Sequence, residues 1–277
     1  MNKITYFEAL KWASLFITDK SSPRIYFMDT MDWSNTDLIV HYRDALTVEQ
    51  WAEFTYAILK LSENCPIQYI TNQANFYGRN FYVDQRVLIP RMETEELVEH
   101  VLDSNKNKDD FNVLDIGTGS GDISITLKLE RPLWKIVATD ISVDALNVAK
   151  INDKQFKTHL TFAQGSLFKP VHGQQFDLII SNPPYIATTE KNLMDQSVLK
   201  YEPKTALFAD DDGLYWYKKI ADDLNQYLKP QGHLFCEIGL YQGPPLLAYF
   251  ENKPFIKQVK IIKDINGLDR ILYVEKK

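Results

Sequence analysis

The sequence predicts an α/β protein in which a mostly parallel, seven-stranded sheet ends in an antiparallel hairpin, preceded by a small helical domain. Beyond Arg91, short apolar runs alternate with amphipathic segments, which is typical of a doubly wound sheet. The last two apolar runs are separated by Asn266 and Gly267, a hairpin signal. The first third of the chain shows helical spacing of its apolar residues and no such alternation.

The strands of the sheet are predicted from apolar runs short enough to be buried strands. Five parallel strands are predicted at residues 112–116, 135–138, 160–163, 176–181 and 233–238, and the hairpin strands at 255–263 and 270–274. Helices are predicted at residues 93–102, 121–129, 143–152 and 215–228. This order brings the carboxyl ends of the parallel strands to one edge, where α/β proteins bind their ligands.

The N-terminal third is predicted to fold as a separate helical domain. Apolar residues at helical spacing predict helices at residues 6–17 and 48–61, the second opened by a capping box of Thr47 and Gln50. Residues 68–87, which are rich in aromatic and β-branched residues around Gly78, predict a short β-hairpin. We therefore expect a helical domain at 1–72, a hairpin connector at 73–90 and an α/β domain at 91–277.

Composition indicates an ordinary globular protein, since 45% of the 277 residues are hydrophobic and 25% are charged. The net charge of −6 argues against a large footprint on nucleic acid, so no sequence-specific nucleic-acid binding is expected. The two cysteines, Cys65 and Cys236, predict a reducing compartment, the cytoplasm. No signal peptide, membrane span or histidine-based metal site is predicted, and we expect a monomer.

A glycine-rich turn joins the first parallel strand to its helix. Gly117, Gly119 and Gly121 alternate with Thr118 and Ser120, so the backbone can turn tightly and approach a ligand closely. The next residue is Asp122, and the dinucleotide pattern G-x-G-x-x-G is therefore absent. Because a carboxylate at a helix N-terminus would repel a pyrophosphate, the turn favours a ligand with an amino-acid end.

Asp140 follows the second parallel strand directly. An acidic residue at this position accepts hydrogen bonds from the ribose hydroxyls of a nucleoside. Together with the glycine turn it predicts a nucleoside cofactor site, in preference to an ordinary cluster of turn residues.

The sequence Asn182-Pro183-Pro184-Tyr185 follows the fourth strand. Each proline fixes its own φ, lacks an N–H and disfavours a helical residue before it. The segment is therefore predicted to be a stiff loop that offers carbonyl acceptors. The alternative is a proline-rich turn with no chemical role.

Such acceptors suit the methylation of a planar nitrogen. The lone pair of an amide or exocyclic amine is delocalised and weakly nucleophilic. Two oxygens that hold its N–H bonds stabilise the charge that develops as it attacks a methyl group, and they also orient it for in-line attack.

These motifs together resemble the class I S-adenosylmethionine-dependent methyltransferases and, within them, the PrmC/HemK family of peptide-chain release factor glutamine methyltransferases. Further marks of the family in this sequence are Pro66-Ile67-Gln68-Tyr69-Ile70, Phe76-Tyr77-Gly78, residues 87–95, Tyr201-Glu202-Pro203, Glu237-Ile238-Gly239, Gln242-Gly243 and residues 266–270. The resemblance implies a Rossmann-like fold with a helical N-terminal domain that recognises the protein substrate.

The resemblance also implies roles for individual residues. S-adenosylmethionine would be held by Gly117, Thr118, Gly119, Ser120, Gly121, Asp140 and Asn182, with an adenine contact from Leu167 or Phe168. Asn182, Pro183 and Tyr185 would be catalytic and, with Pro184, would seat the glutamine of the Gly-Gly-Gln motif of a class-I release factor, which is methylated at N5. Arg91 and Glu93 would lie in a segment that closes over the site; a salt-bridged helix start is the alternative for this pair.

Three positions depart from the family pattern. Met92 replaces a second proline, Asp122 replaces a small or apolar residue, and Ser166 stands where an acid is common. Two other functions remain open from the residues alone. One is an adenine-N6 methyltransferase of DNA or RNA, which shares the Asn-Pro-Pro-Tyr segment. The other is a non-catalytic cofactor-binding protein, which an intact segment disfavours.

Overall fold

A computed structural model describes residues 3–277 of the chain, which divide into two units. One unit contains the chain up to Gln73 together with Asp195–Tyr201, and the other contains Ala74–Met194 and Glu202–Lys277. The helices of the described residues are α1 (Tyr6–Ala13), α2 (Ser22–Met31), α3 (Asn35–Val40), α4 (Val48–Ser62), α5 (Ile67–Thr71), α6 (Met92–Ser104), α7 (Asp122–Glu130), α8 (Val143–Phe156), α9 (Gln196–Tyr201), α10 (Tyr215–Tyr227) and α11 (Gly243–Glu251). The strands are β1 (Gln73–Phe76), β2 (Arg79–Tyr82), β3 (Asn112–Ile116), β4 (Lys135–Asp140), β5 (Thr161–Gln164), β6 (Phe176–Ser181), β7 (Ile186–Ala187), β8 (Phe208–Ala209), β9 (Leu228–Glu237), β10 (Ile256–Lys263) and β11 (Asp269–Lys276).

The first unit is helical and has an aromatic core. The rings of Phe27 and Phe54 stack at 4.4 Å between centroids. Helix α4 begins with the capping box predicted for it, since the Gln50 N–H donates to Thr47 Oγ1 and the Thr47 N–H donates to Gln50 Oε1. Helix α9 belongs to this unit, where the Tyr201 hydroxyl donates to the Glu63 carbonyl at 3.1 Å.

The second unit is built on a seven-stranded sheet in the order β10-β11-β9-β6-β3-β4-β5. The five strands from β9 to β5 pair in parallel, whereas β11 pairs antiparallel with β9 and with β10. The predicted fold class is thus confirmed. Strand β3 has β4 on one side and β6 on the other, so the direction of winding reverses between β3 and β6.

Both faces of the sheet are buried, which explains the nearly continuous apolar runs of the central strands. Leu114 and Ile179 pack on one face with the apolar residues of α10 and α11. Val113 and Leu178 pack on the other face with residues of α6 and α7. The sheet therefore holds its strand ends in a rigid frame.

Some elements differ from their predicted bounds. Helix α5 occupies the start of the segment predicted as a hairpin, and β1 and β2 form a two-stranded sheet only beyond it, around Tyr77 and Gly78, which both have positive φ. Helices α2, α3, α9 and α11 were not predicted. Both α2 and α11 begin with proline in their first turn, a pattern that also suits a turn. The predicted division at residues 72 and 90 stays a prediction. None of the helices within residues 3–277 is long and apolar enough to cross a membrane.

A buried amide ties the hairpin and the glycine turn to helix α8. Asn152, which is fully buried, accepts from the Tyr82 N–H at 2.7 Å and donates to the carbonyls of Tyr82 and Ser120 at 2.9 and 2.8 Å. One side chain thus satisfies three backbone groups in the interior.

Replacing Asn152 with Ala is expected to lower the free energy of unfolding by about 2 to 4 kcal/mol, because the backbone groups lose their partners where water is scarce. Urea titration of the full chain measures this change. The matched control is Gln155→Ala, which removes an exposed amide of the same helix that donates to the Asn80 carbonyl, and is expected to cost less than about 0.5 kcal/mol. Equal losses in the two variants would contradict the role given to Asn152.

Candidate active site

The glycine turn lies at the carboxyl end of β3, beside the point where the winding reverses. Gly117, Gly119 and Gly121 have φ values of +75°, +55° and +81°, which L-residues with side chains adopt at a cost. A Cβ on Gly121 would lie 3.0 Å from Ile125 Cδ1 and 3.3 Å from the Ala149 Cβ, so this glycine also allows α7 and α8 to approach. The turn therefore needs glycine for both conformation and packing.

Asp140, at the end of β4, is bound to the glycine turn. The Gly119 N–H donates to Asp140 Oδ2 at 2.9 Å, and the Ser142 N–H donates to Asp140 Oδ1 at 2.8 Å. Burial raises the pKa of this carboxyl, although the backbone donors oppose the shift. Each oxygen retains a lone pair for a further donor.

A cleft with an empty volume of about 1060 Å³, open solvent included, runs along these strand ends. Among the residues predicted for the site, those that line the cleft are Arg91, Gly117, Thr118, Gly119, Ser120, Asp140, Leu167, Asn182, Pro183 and Pro184. Gly121, Phe168, Tyr185 and Glu93 do not line it. The structure therefore places the glycine turn, Asp140 and the Asn-Pro-Pro segment around one space.

Leu167 and Phe168 point to different sides of their loop. Leu167 has a φ of +51° and lines the cleft. Phe168 is 2% exposed and stacks on Tyr227 at 4.3 Å in the core. Of the two residues predicted for the adenine contact, only Leu167 faces the cleft, because the left-handed turn at Leu167 sends the next side chain into the protein.

The loop after β6 is fixed at both ends. The Ser181 hydroxyl donates to the Ile116 carbonyl at 2.7 Å, which ties the end of β6 to the end of β3. Further along, Gln242 Nε2 donates to the Tyr185 carbonyl at 2.8 Å, and the Gly239 N–H donates to Gln242 Oε1 at 2.9 Å. These contacts hold the loop in place, although its own backbone forms neither a helix nor a strand.

The acceptors of this loop remain available to a ligand. Asn182 donates through Nδ2 to Thr94 Oγ1 at 3.0 Å, which leaves Oδ1 free to accept. Within residues 3–277, no backbone or side-chain donor binds the Pro183 carbonyl. The Tyr185 hydroxyl instead donates to Glu237 Oε1 at 3.2 Å, and burial, followed by the charge of Glu237, raises the pKa of that hydroxyl.

Arg91 and Glu93 occupy different positions at the start of α6. Arg91 Nη2 forms an ion pair of 2.5 Å with Glu202 Oε1, and Glu202, which is 5% exposed, also accepts from the Ile89 N–H at 3.3 Å. Glu93 is exposed in the first turn of the helix. Arg91 thus both lines the cleft and forms the salt-bridged helix start considered as its alternative.

A buried carboxyl, Asp115, and a half-buried one, Asp122, lie beside the glycine turn. Burial raises the pKa of Asp115 to about 7 and that of Asp122 to about 6. Asp115 Oδ2 accepts from the Thr118 hydroxyl at 2.6 Å, and its Oδ1 has no partner among residues 3–277. Such surroundings disfavour phosphate and favour a cationic ligand. Within residues 3–277 no group of three or more His, Cys, Asp or Glu residues is placed to hold a metal ion.

Three residues at this site had no predicted role. Thr94 and Trp216 line the cleft, and Gln242 holds the loop after β6. Thr94 lies in a family motif, residues 87–95, without an assigned contact, and Trp216 lies on a helix whose pattern indicated only packing. Gln242 was part of a family motif without an assigned contact. Nothing in the sequence alone distinguishes them from structural residues.

The raised pKa of Asp115 predicts a stability that depends on pH. A carboxyl whose pKa rises from 3.8 to about 7 on folding binds more protons in the folded state between these values, so stability falls as pH rises through this window. The variant Asp115→Asn does not ionise and its oxygen can still accept from Thr118. Urea unfolding at pH 5 and pH 8 is expected to show the variant gaining stability relative to the wild type at the higher pH. A difference that does not change with pH would contradict this.

The chain is similar in sequence to known methyltransferases along nearly its whole length. Residues 92–205 match the family model "Methyltransferase small domain", and residues 8–71 match "PrmC N-terminal domain". A protein named release factor glutamine methyltransferase from Enterococcus faecalis is 39% identical over 274 residues, which cover 98% of this chain and 99% of that protein. A protein of the same name from Lactococcus lactis is 42% identical over 251 residues, 91% of this chain and 90% of its own length.

A crystal structure of a methyltransferase from Pyrococcus furiosus has a TM-score of 0.52 and 18% identity, and the match covers 83% of this chain and 99% of that one. That similarity concerns the fold alone. The family matches and the two relatives confirm the resemblance drawn from the motifs. This chain belongs to the release factor glutamine methyltransferase family.

Proposed function

We propose that this chain transfers a methyl group from S-adenosylmethionine to the side-chain amide nitrogen, N5, of the glutamine in the Gly-Gly-Gln motif of class-I peptide-chain release factors. The observation that carries the proposal is the pair of acceptors at the carboxyl end of β6. Asn182 and Pro183 line the same cleft as the glycine turn and Asp140, and their oxygens are free to accept. A glutamine amide offers two N–H bonds to such a pair.

The residues around the glycine turn fit S-adenosylmethionine. Asp140 has lone pairs left for the ribose hydroxyls, and Leu167 offers an apolar contact for the adenine. The carboxyls of Asp115 and Asp122 disfavour a phosphate and suit the positive charge of a sulfonium and an ammonium. When bound, this cofactor supplies an electrophilic methyl group.

The chain's own groups orient and polarise the substrate amide. Asn182 Oδ1 and the Pro183 carbonyl accept its two N–H bonds, which keeps the plane of the amide fixed and stabilises the positive charge that grows on nitrogen. Fixing the nitrogen in line with the bond to be broken supplies much of the rate. The nitrogen becomes acidic as it gains carbon, so its proton is lost without a strong base.

Tyr185 has a positioning part in this scheme. Because burial and the nearby Glu237 raise the pKa of its hydroxyl, it stays neutral and donates to that carboxylate. Because Tyr185 does not line the cleft, we assign to it the support of the loop after β6 through Glu237, and not a contact with the glutamine or proton transfer. Arg91, held by Glu202, is proposed to border the entrance, and the helical unit is proposed to recognise the release factor, a protein substrate too large for the cleft alone.

The proposed function predicts methyl transfer to one glutamine. With labelled methyl donor, a purified class-I release factor is expected to take up label, and the same factor with Ala in place of the glutamine of Gly-Gly-Gln is expected to take up none. Mass spectrometry of the labelled peptide places the methyl group. Equal labelling of both substrates would refute the proposal. Transfer to adenine in duplex DNA or structured RNA would favour the adenine-amine alternative.

Substitutions in the two parts of the cleft are expected to affect different steps, cofactor binding at Asp140 and methyl transfer at Asn182. Asp140→Ala removes the acceptor assigned to the ribose and is expected to raise the Kd of S-adenosylmethionine by about 10- to 100-fold, as measured by calorimetry. Asn182→Ala is expected to leave that Kd within about threefold and to lower kcat by about 100- to 1000-fold. Thermal melts check that both variants are folded. The assignment is rejected if Asn182→Ala weakens cofactor binding as much as Asp140→Ala does.

A further inference from the structure

Four side chains from three segments form a continuous chain of hydrogen bonds beside the cleft. Asn182 Nδ2 donates to Thr94 Oγ1 at 3.0 Å, and Thr94 Oγ1 donates to Glu237 Oε2 at 2.6 Å. The second oxygen of Glu237 accepts from the Tyr185 hydroxyl at 3.2 Å. Thr94 and Glu237 are 2% and 1% exposed, so bulk water does not compete for these contacts.

The direction of each bond follows from the chemistry of the groups. An ionised carboxylate only accepts, so Glu237 requires the Thr94 hydroxyl to donate to it. A hydroxyl has one proton, and Thr94 therefore has only lone pairs left for Asn182. The Asn182 amide must present its N–H to Thr94, since its oxygen would meet another oxygen there. Its Oδ1 is consequently turned the other way.

We propose that Thr94 and Glu237 are positioning residues that orient the Asn182 amide so that Oδ1, and not Nδ2, faces the substrate nitrogen. This rests on the proposed function, in which that oxygen accepts an N–H of the substrate amide. A flipped amide would direct a donor at a donor and lose the acceptor. The pair thus makes one of two nearly isosteric orientations of Asn182 the productive one.

We call the hydrogen bonds that lead from Glu237 through Thr94 to Asn182 the relay. The relay depends on the charge of Glu237. Burial raises the pKa of this carboxyl, and Glu93 on α6 acts in the same direction, whereas the hydrogen bonds from Thr94 and Tyr185 and the charge of Arg270 on β11 oppose the shift. The hydroxyl of Tyr217, on α10, donates to the backbone carbonyl of Glu237 at 2.7 Å. When pH falls through the raised pKa, Glu237 becomes a donor, Thr94 can accept from it and donate to Asn182 Oδ1, and the flipped amide is stabilised.

The test compares two substitutions of Thr94 with a matched control. Thr94→Val keeps the shape and removes the hydroxyl; it is expected to lower kcat by about 10- to 100-fold while the Kd of S-adenosylmethionine stays within about twofold. Thr94→Ser keeps the hydroxyl and is expected to retain kcat within about threefold. The control is Thr126→Val, in which the lost hydroxyl is equally buried and has no partner among residues 3–277, and kcat should not change. A kcat of Thr94→Val equal to that of the wild type would overturn the relay.

Two further readouts separate positioning from a general structural role. In the Asn182→Ala background, Thr94→Val is expected to cause no further loss of kcat, and a full multiplicative loss would overturn the proposal. The kcat of the wild type at saturating substrates is expected to fall as pH drops through the raised pKa of Glu237, and Thr94→Val is expected to lack this decline. An unchanged pH profile in Thr94→Val would count against the relay.

A spectroscopic measurement decides the relay without methyl transfer. The side-chain amide signal of Asn182, identified by its loss in Asn182→Ala, is expected to shift in Thr94→Ser only slightly and in Thr94→Val strongly. An unchanged signal in Thr94→Val would overturn the relay. If the wild type transfers no methyl group to a release factor, the proposed function fails, and the amide signal still decides whether Thr94 orients Asn182.

Discussion

The parallel pairing of β3 with β6 determines where the side chains of the candidate site lie. The pairing runs from Val113 with Leu178 to Ile116 with Ser181, and the Ser181 hydroxyl closes it by donating to the Ile116 carbonyl at 2.7 Å. Strand β3 ends directly before the glycine turn, and β6 ends directly before the Asn-Pro-Pro-Tyr segment. Because the strands are buried on both faces, a slip of one register step would misplace all of their side chains. The glycine turn and the pair of acceptors after β6, which are far apart in sequence, therefore share one cleft.

A second theme is the use of buried and half-buried carboxyls. Asp115, Asp122, Asp140 and Glu237 all have a raised pKa, chiefly because burial disfavours their charged forms. Such groups reduce the stability of the empty protein near neutral pH. This loss of stability can be offset where a positively charged molecule or a fixed pattern of hydrogen bonds stabilises the charged carboxyls. Functional sites commonly carry this kind of local penalty.

The sequence predicted what depends on local pattern. The seven strands were recognised from apolar runs, and Gly117, Asp140 and Asn182 could be placed together because each follows a strand at the same edge. Thr94 was out of reach, because its contact with Glu237 joins residues 143 positions apart. The choice between Leu167 and Phe168 depended on a backbone φ of +51°, which no apolar pattern reveals. Helix α11 was missed since its opening Gly243 and prolines also suit a turn.

The path of the chain through the two units limits how they can be separated. Helix α9 belongs with the N-terminal helices, while the next residue, Glu202, forms the ion pair with Arg91 in the other unit. A fragment that begins at Ala74 would retain α9 but lose Glu63, whose carbonyl accepts from Tyr201. A chimera that exchanges the helical unit between relatives therefore has to carry two stretches of chain, the first 73 residues and residues 195–201. Modular grafting at a single junction would leave a mismatched helix inside each product.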